Sequence, residues 1–389
     1  MTVVTIIYVY SLAKIHIPKA VNQIMTAYEE FMEKLSTIIE HAKTLNLTRL
    51  MNPTNKDKIW NSIKNNQAIP EFVYPDIPEN VEQISQELKN LRIPDFPLKK
   101  LYEKKIASLQ QNIYMLKNRE NSDIILQESI SRYGDVDSSL YDLAVSIVNN
   151  IKPSQEKATI SAAKVKKHLQ EQSSQLGVSN VTIRYDNTKW QTSVNPLKME
   201  LTLNSKRKFT QSEYERLPVH EVGTHFVRGY NALQQKDSLL RGMPNYLATE
   251  EGLAVVSELI SGNLDTDSLR KYAGRVIGAK KVIEGNSFIQ TINSLESFSF
   301  DKKHAFDIAF RLHRGGKYVK DQIYLKGCQD IINYANNGGK LSTLFVGKVG
   351  LGDLPLIQEL QEQGHIQPPA IIPKYIQEFD ESPYNISLL

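Results

Sequence analysis

Two histidines five positions apart, with a glutamate beside the first, set the hardest constraint on this chain: His220-Glu221-Val222-Gly223-Thr224-His225. Residues on an α-helix advance by about 100°, so side chains four apart end up about 40° from each other and can share a ligand, whereas side chains five apart diverge by about 140°. If both imidazoles are to face one point, the helix has to widen by a residue. A single turn of π type does this. Gly223 sits inside the insertion, where a residue without Cβ best tolerates irregular backbone. The spacing therefore predicts a helix bulged between positions 220 and 225.

The donor types suggest why a chain would carry such a helix. Zinc in hydrolytic sites takes three protein ligands and leaves a fourth position for water, and two His with one Glu is an established set. Glu221, adjacent to the first His, can then serve as the base for that water. A third ligand is offered a short way downstream by Thr249-Glu250-Glu251-Gly252-Leu253-Ala254. Thr249 can cap a helix whose first turn carries both glutamates. The apolar run Leu253, Ala254, Val255, Val256, Leu259 and Ile260 is suited to burial. Neighbouring helical residues point about 100° apart, so only one of Glu250 and Glu251 is expected to face the metal. On spacing alone the choice between them stays open.

The rest of the chain reads as mostly helical. Ile24, Met25, Tyr28, Phe31, Met32, Leu35, Ile38 and Ile39 recur at helical spacing over Val21 to Leu45. Five prolines between residues 69 and 97 mark extended connectors around one short helix. Further helices are expected at Leu101 to Leu116 and Ser138 to Ile151, and Lys152-Pro153 is a plausible boundary. This gives a helical N-terminal region, 1–152, and a catalytic domain, 153–389. In the second part a helix over about 155 to 174 precedes short alternating strands at Val181 to Tyr185 and Met199 to Leu203. The latter is the candidate edge along which a peptide would add as a strand. Helices at 249–262, 266–283, 286–298, 301–312 and 318–335 follow, with a strand expected at Leu341 to Phe345 and a Pro-rich tail over the surface. The expected fold class is α+β: a zincin-like catalytic domain with a small antiparallel sheet and a bulged H-E-x-x-x-H helix, plus the helical N-terminal region.

At the two motifs the sequence resembles the microtubule-associated tyrosine carboxypeptidases and their bacterial relatives, the flavohaemoglobin-expression-modulating QEGLA-motif proteins. Three further segments carry the resemblance. Val181-Thr182-Ile183-Arg184 through Leu201-Thr202-Leu203 is similar to a strand with an Ile-Arg pair ahead of the metal helix. Arg311-Leu312-His313-Arg314-Gly315-Gly316 is similar to R-x-x-R-G-G, and Lys320-Asp321-Gln322-Ile323-Tyr324-Leu325-Lys326-Gly327 to K-D-x-x-Y-L-x-G. The resemblance covers roughly residues 50 to 370 and is most specific in the second half. It implies one zinc held by His220, His225 and Glu251, since the bacterial relatives keep Glu at the second position and carry Gln at the first. Glu221 matches the glutamate that activates water. Relatives often read Asn-Gly after the metal helix, where this chain has Asn231-Ala232.

An exopeptidase that acts at a C-terminus needs a cation for the terminal carboxylate, and Arg binds it in two-pronged fashion better than Lys. Arg311 and Arg314 are the candidates, with Lys320 behind them, and Tyr324 or a His can donate to the developing oxyanion. His313, between the two arginines, is a further candidate for the site. The implied substrate is a peptide or protein C-terminal tail, tubulin-like in the eukaryotic members, with an aromatic, tyrosine-like residue released. Two other readings compete: a zinc-binding regulatory or interaction protein, and a zinc endopeptidase without carboxylate recognition. Glu221 weighs against the first, because a structural zinc needs no base.

Composition narrows the remaining classes. With 389 residues, 41% of them hydrophobic, the chain can bury a sizeable core. A net charge of +4 with scattered basic residues and no recognised nucleic-acid motif gives no expectation of nucleic-acid binding. The lone Cys328 rules out an internal disulfide and suits a reducing, cytoplasmic setting. Val3 to Leu12 is apolar but too short to span a bilayer and lacks the leader of a signal peptide, so a docked strand or arm and no membrane partner are expected.

Overall fold

The computed structural model describes residues 19–188 and 192–389, so the apolar run Val3 to Leu12 lies outside the described residues. The first part is helical, as the apolar periodicity requires: α1 (Lys19–Ala42), α2 (Leu47–Leu50), α3 (Lys56–Lys64), α4 (Val81–Asn90), α5 (Lys99–Lys117), α6 (Ser122–Tyr133) and α7 (Ser138–Asn150). Side chains start several of these helices. Asn46, Asn121 and Asp137 each accept a hydrogen bond from a backbone N–H of the first turn, satisfying a donor that has no partner within the helix. Gly134, at φ 84°, ends α6 in a conformation that disfavours any side chain.

Two small sheets follow. Strand β1 (Ile160–Ser161) leads into α8 (Ala162–Gln175), and β2 (Thr182–Tyr185), β3 (Ser193–Asn195), β4 (Glu200–Leu203) and β5 (Lys208–Phe209) come next. Helix α8 starts later than the expected residue 155, because Ser161 caps it by accepting from Lys164 N. The small antiparallel sheet expected is present as a two-stranded pair, and a mixed three-stranded sheet accompanies it. In the three-stranded sheet β2 pairs parallel with β4, Ile183 opposite Leu201, while β3 pairs antiparallel with β4. The order β2-β4-β3 puts β4 in the middle, so both of its edges are taken and it cannot accept a substrate strand. β1 and β5 form the second pair, antiparallel.

The remaining elements surround the site. Helix α9 (Gln211–Leu217) opens with a capping box between Thr210 and Glu213, runs into a π-helical segment at Pro218–Phe226, and continues as α10 (Val227–Gln234). Then come α11 (Tyr246–Ile260), α12 (Thr266–Ile283), α13 (Phe288–Ser297), α14 (Lys302–Lys317), α15 (Ile323–Asn336), α16 (Leu354–Glu362) and α17 (Lys374–Glu381). The helical turn of α14 breaks at Arg314, Gly315 and Gly316, with both glycines at positive φ. Leu341–Val346 is a 3-10 helix where a strand was expected. Helix α11 begins three residues before Thr249, capped by Asn245 at φ 59°, so Glu250 and Glu251 lie beyond its first turn. Thr249 does not cap it; its Oγ1 accepts from Leu351 N at 2.9 Å.

One hydrophobic core runs from Phe31 in α1 to Ile386 near the C-terminus and crosses residue 152. Arg270 of α12 helps to tie the two parts together by donating to the carbonyls of Val148 and Ile151. One helix crossing beside the site is very close. Helices α11 and α15 cross with Gly252 against Gly327, backbone on backbone, and a methyl group on Gly327 would overlap the Ala248 carbonyl oxygen. Neither partner there is a flexible side chain that can yield. Gly327→Ala is expected to destabilise the fold by about 1–3 kcal/mol or more, read as a lower urea midpoint at an unchanged slope.

Candidate functional site

The π-helical segment brings the two histidines together. Widening by one residue turns His225 back onto the face of His220, and the two rings meet edge-on with centroids 4.9 Å apart. Gly223 serves this segment for a reason other than backbone freedom. A Cβ there would lie 2.5 Å from the hydroxyl of Tyr375 on α17, so the glycine makes room for the tail.

Glu251 closes the group from α11: its Oε2 is 3.8 Å from Nε2 of His220 and 3.8 Å from Nε2 of His225. Glu221 flanks it, with Oε2 4.0 Å from His225 Nε2. Ligand atoms of His220, Glu221 and His225 all lie within 4.8 Å of one another. Of Glu250 and Glu251, it is Glu251 that places an oxygen equally far from both Nε2 atoms. Glu250 points the other way.

Each imidazole is fixed from behind by a buried carboxylate. His220 Nδ1 lies 2.6 Å from Glu258 Oε1, which also accepts from Arg216 Nη1 at 2.9 Å. His225 Nδ1 lies 2.8 Å from Glu250 Oε1. A carboxylate at Nδ1 holds the proton on that nitrogen, which leaves the Nε2 lone pair turned toward the shared point. Burial pushes His220 down to about 3, so it is neutral, as a metal ligand must be. For His225 burial acts the same way, but the hydrogen bond it donates to Glu250 and the charges of Glu251, Glu250 and Glu221 outweigh it and raise its pKa. A metal ion would take the place of that proton. The donor set, its common focus and the carboxylates behind it therefore fit zinc.

Glu250 is itself enclosed by charge. Arg228 and Lys348, both fully buried, bond to its two oxygens, and Lys348 Nζ also donates to the His225 carbonyl at 3.0 Å. Burial works against charge on Glu250, but Lys348 and Arg228 outweigh it and hold the carboxyl well below the usual range. Arg228 also donates to the carbonyls of Leu344 and Val349, locking the 341–349 segment against α10. Asn231 lies inside α10, not in a turn after it, and binds the tail: it donates to Ile371 O and accepts from Ala370 N and Ile371 N.

Sequence reasoning missed Arg216, Arg228, Glu258 and Lys348. The first three had a signal. Arg216 and Arg228 stand four before His220 and three after His225, and Glu258 is seven after Glu251, on the same helix face. Lys348 had none, since only tertiary folding brings it to Glu250. A Glu258→Gln variant should keep the fold and lose about 10–100-fold in zinc affinity, measured by chelator competition.

The expected cations lie in a second cluster. Arg311 Nη2 donates to Asp321 Oδ1 at 2.6 Å and Arg314 Nη2 to Oδ2 at 2.9 Å. Arg314 is buried and donates also to Asn52. Arg311 is partly exposed and close enough to Glu251 for that charge to raise its pKa, after the larger effect of Asp321. Lys320 makes no side-chain hydrogen bond or ion pair with any described residue. Tyr324 stacks on Tyr272, ring centroids 4.7 Å apart, and burial followed by the charge of Glu251 holds its hydroxyl protonated. Tyr246 is likewise kept protonated by burial and by Glu250 and Glu251. His313 lies apart: its Nε2 meets Thr291 Oγ1 at 2.9 Å, and burial pushes it down to about 4. Cys328 is buried beside the α11–α15 crossing, and burial pushes its thiol up, away from the nucleophilic form. A cavity of about 580 Å³ lined by Lys104, Asn245, Thr249, Asp330 and Asp353 contains none of these residues.

Fold and site together define an α+β protein, mostly helical, in which a π-widened helix and a neighbouring helix bring two imidazoles and a carboxylate to one point. The chain belongs to the family described as microtubule-associated tyrosine carboxypeptidase, whose sequence model matches residues 62–387. Among curated proteins it is similar to the "Putative tyrosine carboxypeptidase MATCAP2" of Mus musculus and of Homo sapiens, 26% identical to each over 162 residues. Those matches cover 39% of this chain and 31% of each relative, so the similar stretch is about a third of the relatives' length. No described helix is long and apolar enough to cross a membrane.

Proposed function

We propose that the chain is a zinc-dependent carboxypeptidase that releases a C-terminal residue, aromatic and tyrosine-like, from a peptide or protein tail in the cytoplasm. The observation that carries this reading is the position of Glu251 Oε2, 3.8 Å from both Nε2 atoms, with Glu221 alongside. His220, His225 and Glu251 would hold the metal. A zinc held there would lower the pKa of a water and act as a Lewis acid toward the scissile carbonyl. Glu221 takes the proton from the attacking water and returns it to the leaving amine. The hydroxyl of Tyr324 stays protonated and can donate to the oxyanion as it forms. Arg311 and Arg314 supply positive charge beside these groups, with Lys320 on the same segment.

The names of the family and of the curated relatives support action at a C-terminal tyrosine. A tubulin-like tail is the corresponding partner. The test is a set of zinc-loaded digestions of peptides that end in tyrosine, with the C-terminus free or amidated, followed by mass spectrometry. Release of the last residue from the free peptides alone is expected. Equal cleavage of the amidated peptides, or cutting at internal bonds, would turn the assignment to an endopeptidase.

A further inference from the structure

Arg275, on the face of α12 that meets α15, is a cation that forms no ion pair among the described residues. Its guanidinium carbon is 4.5 Å from the ring centroid of Tyr324 and 5.3 Å from that of Tyr272, so it lies against the stacked tyrosine pair. It makes no hydrogen bond or ion pair with any described residue, and its Nη1 is shielded from solvent without a partner. Partly buried arginines are normally paired, because removing a guanidinium from water is costly unless an anion or acceptor replaces that water. Aromatic faces offset only part of that cost.

Its neighbours share the imbalance. Arg311 and Arg314 both bind Asp321, whose carboxyl also lies within the field of Arg275. Three guanidinium groups thus act on one carboxylate, and only Arg311 and Arg314 make an ion pair with it. Arg311 keeps Nε buried and unpartnered as well. Arg314 has an unpartnered Nε too, but its side chain is only 6% exposed and is held by Asp321 and Asn52, whereas that of Arg311 is 30% exposed and open to a ligand. The cluster borders the His220, His225 and Glu251 group: Gly327, one turn beyond Tyr324, packs on Gly252, the residue after Glu251, and the charge of Glu251 acts on both Tyr324 and Arg311. In an exopeptidase substrate only one residue separates the scissile carbonyl from the terminal carboxylate. The anion-binding group must therefore lie next to the metal-binding side chains.

We propose that Arg275, together with Arg311, forms the subsite that receives the C-terminal carboxylate of a peptide, with the Tyr272–Tyr324 stack as its floor. This rests on the exopeptidase reading above and replaces Arg314 in the carboxylate-binding role; Arg314 instead holds Asp321 in place. A guanidinium meets a carboxylate through two parallel N–H donors, an arrangement a lysine does not reproduce.

The test is calorimetric binding to the full zinc-loaded chain carrying Glu221→Gln, so that no turnover intervenes. The probes are an acetylated tetrapeptide ending in tyrosine and its C-terminal amide. The free acid should bind at least about tenfold more tightly than the amide. Adding Arg275→Gln should abolish that preference with zinc content and melting temperature unchanged, and Arg275→Lys should keep only part of it. A preference that survives Arg275→Gln, or no preference in the parent, overturns the subsite. Should Arg275→Gln fail to fold, Arg275→Lys decides: a reduced preference supports the subsite and an undiminished one overturns it. A preference that depends on Arg275, alongside no hydrolysis by the chain with Glu221 intact, would overturn the peptidase reading and leave the subsite standing.

Discussion

Glu221→Gln is expected to lower the turnover of a C-terminal peptide by about 10²–10⁴-fold, the range associated with losing a general base, while the chain retains one zinc. The amide keeps the size of the carboxylate but cannot take a proton. Glu221 Oε2 is 4.0 Å from His225 Nε2, so a role as ligand competes geometrically with a role as base. Metal analysis separates the two. If zinc leaves with the carboxylate, Glu221 is a ligand and Glu251 has to be reassigned; if zinc stays and hydrolysis goes, the proton-transfer role holds.

The contrast between Glu250→Ala and Glu251→Ala should be equally large but of another kind. Removing Glu250 leaves Arg228 and Lys348 buried with no carboxylate between them, a loss that typically costs about 3–5 kcal/mol when one partner of a buried pair is deleted. It also frees His225 Nδ1. Removing Glu251 deletes a partly exposed side chain that faces the imidazoles and carries no other ion pair. The first variant should melt far below the parent, and the second should melt near the metal-free parent and bind zinc poorly. Thermal unfolding with and without a chelator reads both. A Glu250→Ala chain of parental stability would sink the account of the buried cation pair.

Spacing made the π-helical segment legible, because no regular helix lets positions 220 and 225 converge. The periodic helices α1, α5 and α7 were legible for a related reason: their apolar positions recur at 3.6 residues, and burial of that face decides the fold. Pairing was not legible. The four-residue runs that became β2 and β4 indicate which side chains share a face, yet nothing in Thr182–Tyr185 says that its neighbour will be parallel or that β3 will take the other side of β4. Thr249 misled for a similar reason. Its hydroxyl suits a cap, but Asn245 in a left-handed conformation starts α11 earlier and leaves Thr249 to hold Leu351. The same gap explains Lys348 and Arg275. A single cation in a sequence looks like surface until the fold shows that one is buried against Glu250 and the other lies on a tyrosine stack.

The extra residue in the histidine segment also fixes everything downstream of it. Deleting Thr224 would restore four-residue spacing between the histidines and a regular helix. The same deletion would turn all of α10 by about 100° relative to the residues before it. Arg228 would leave Glu250, and Asn231 would lose its four bonds to Phe345, Ala370 and Ile371. Shortening the motif to the common form would thus undock the C-terminal tail, a part of the chain well over a hundred residues further along the sequence. In this protein an insertion of one residue works as a phase setting between two halves of a single helix, and the spacing cannot drift without the tail moving too.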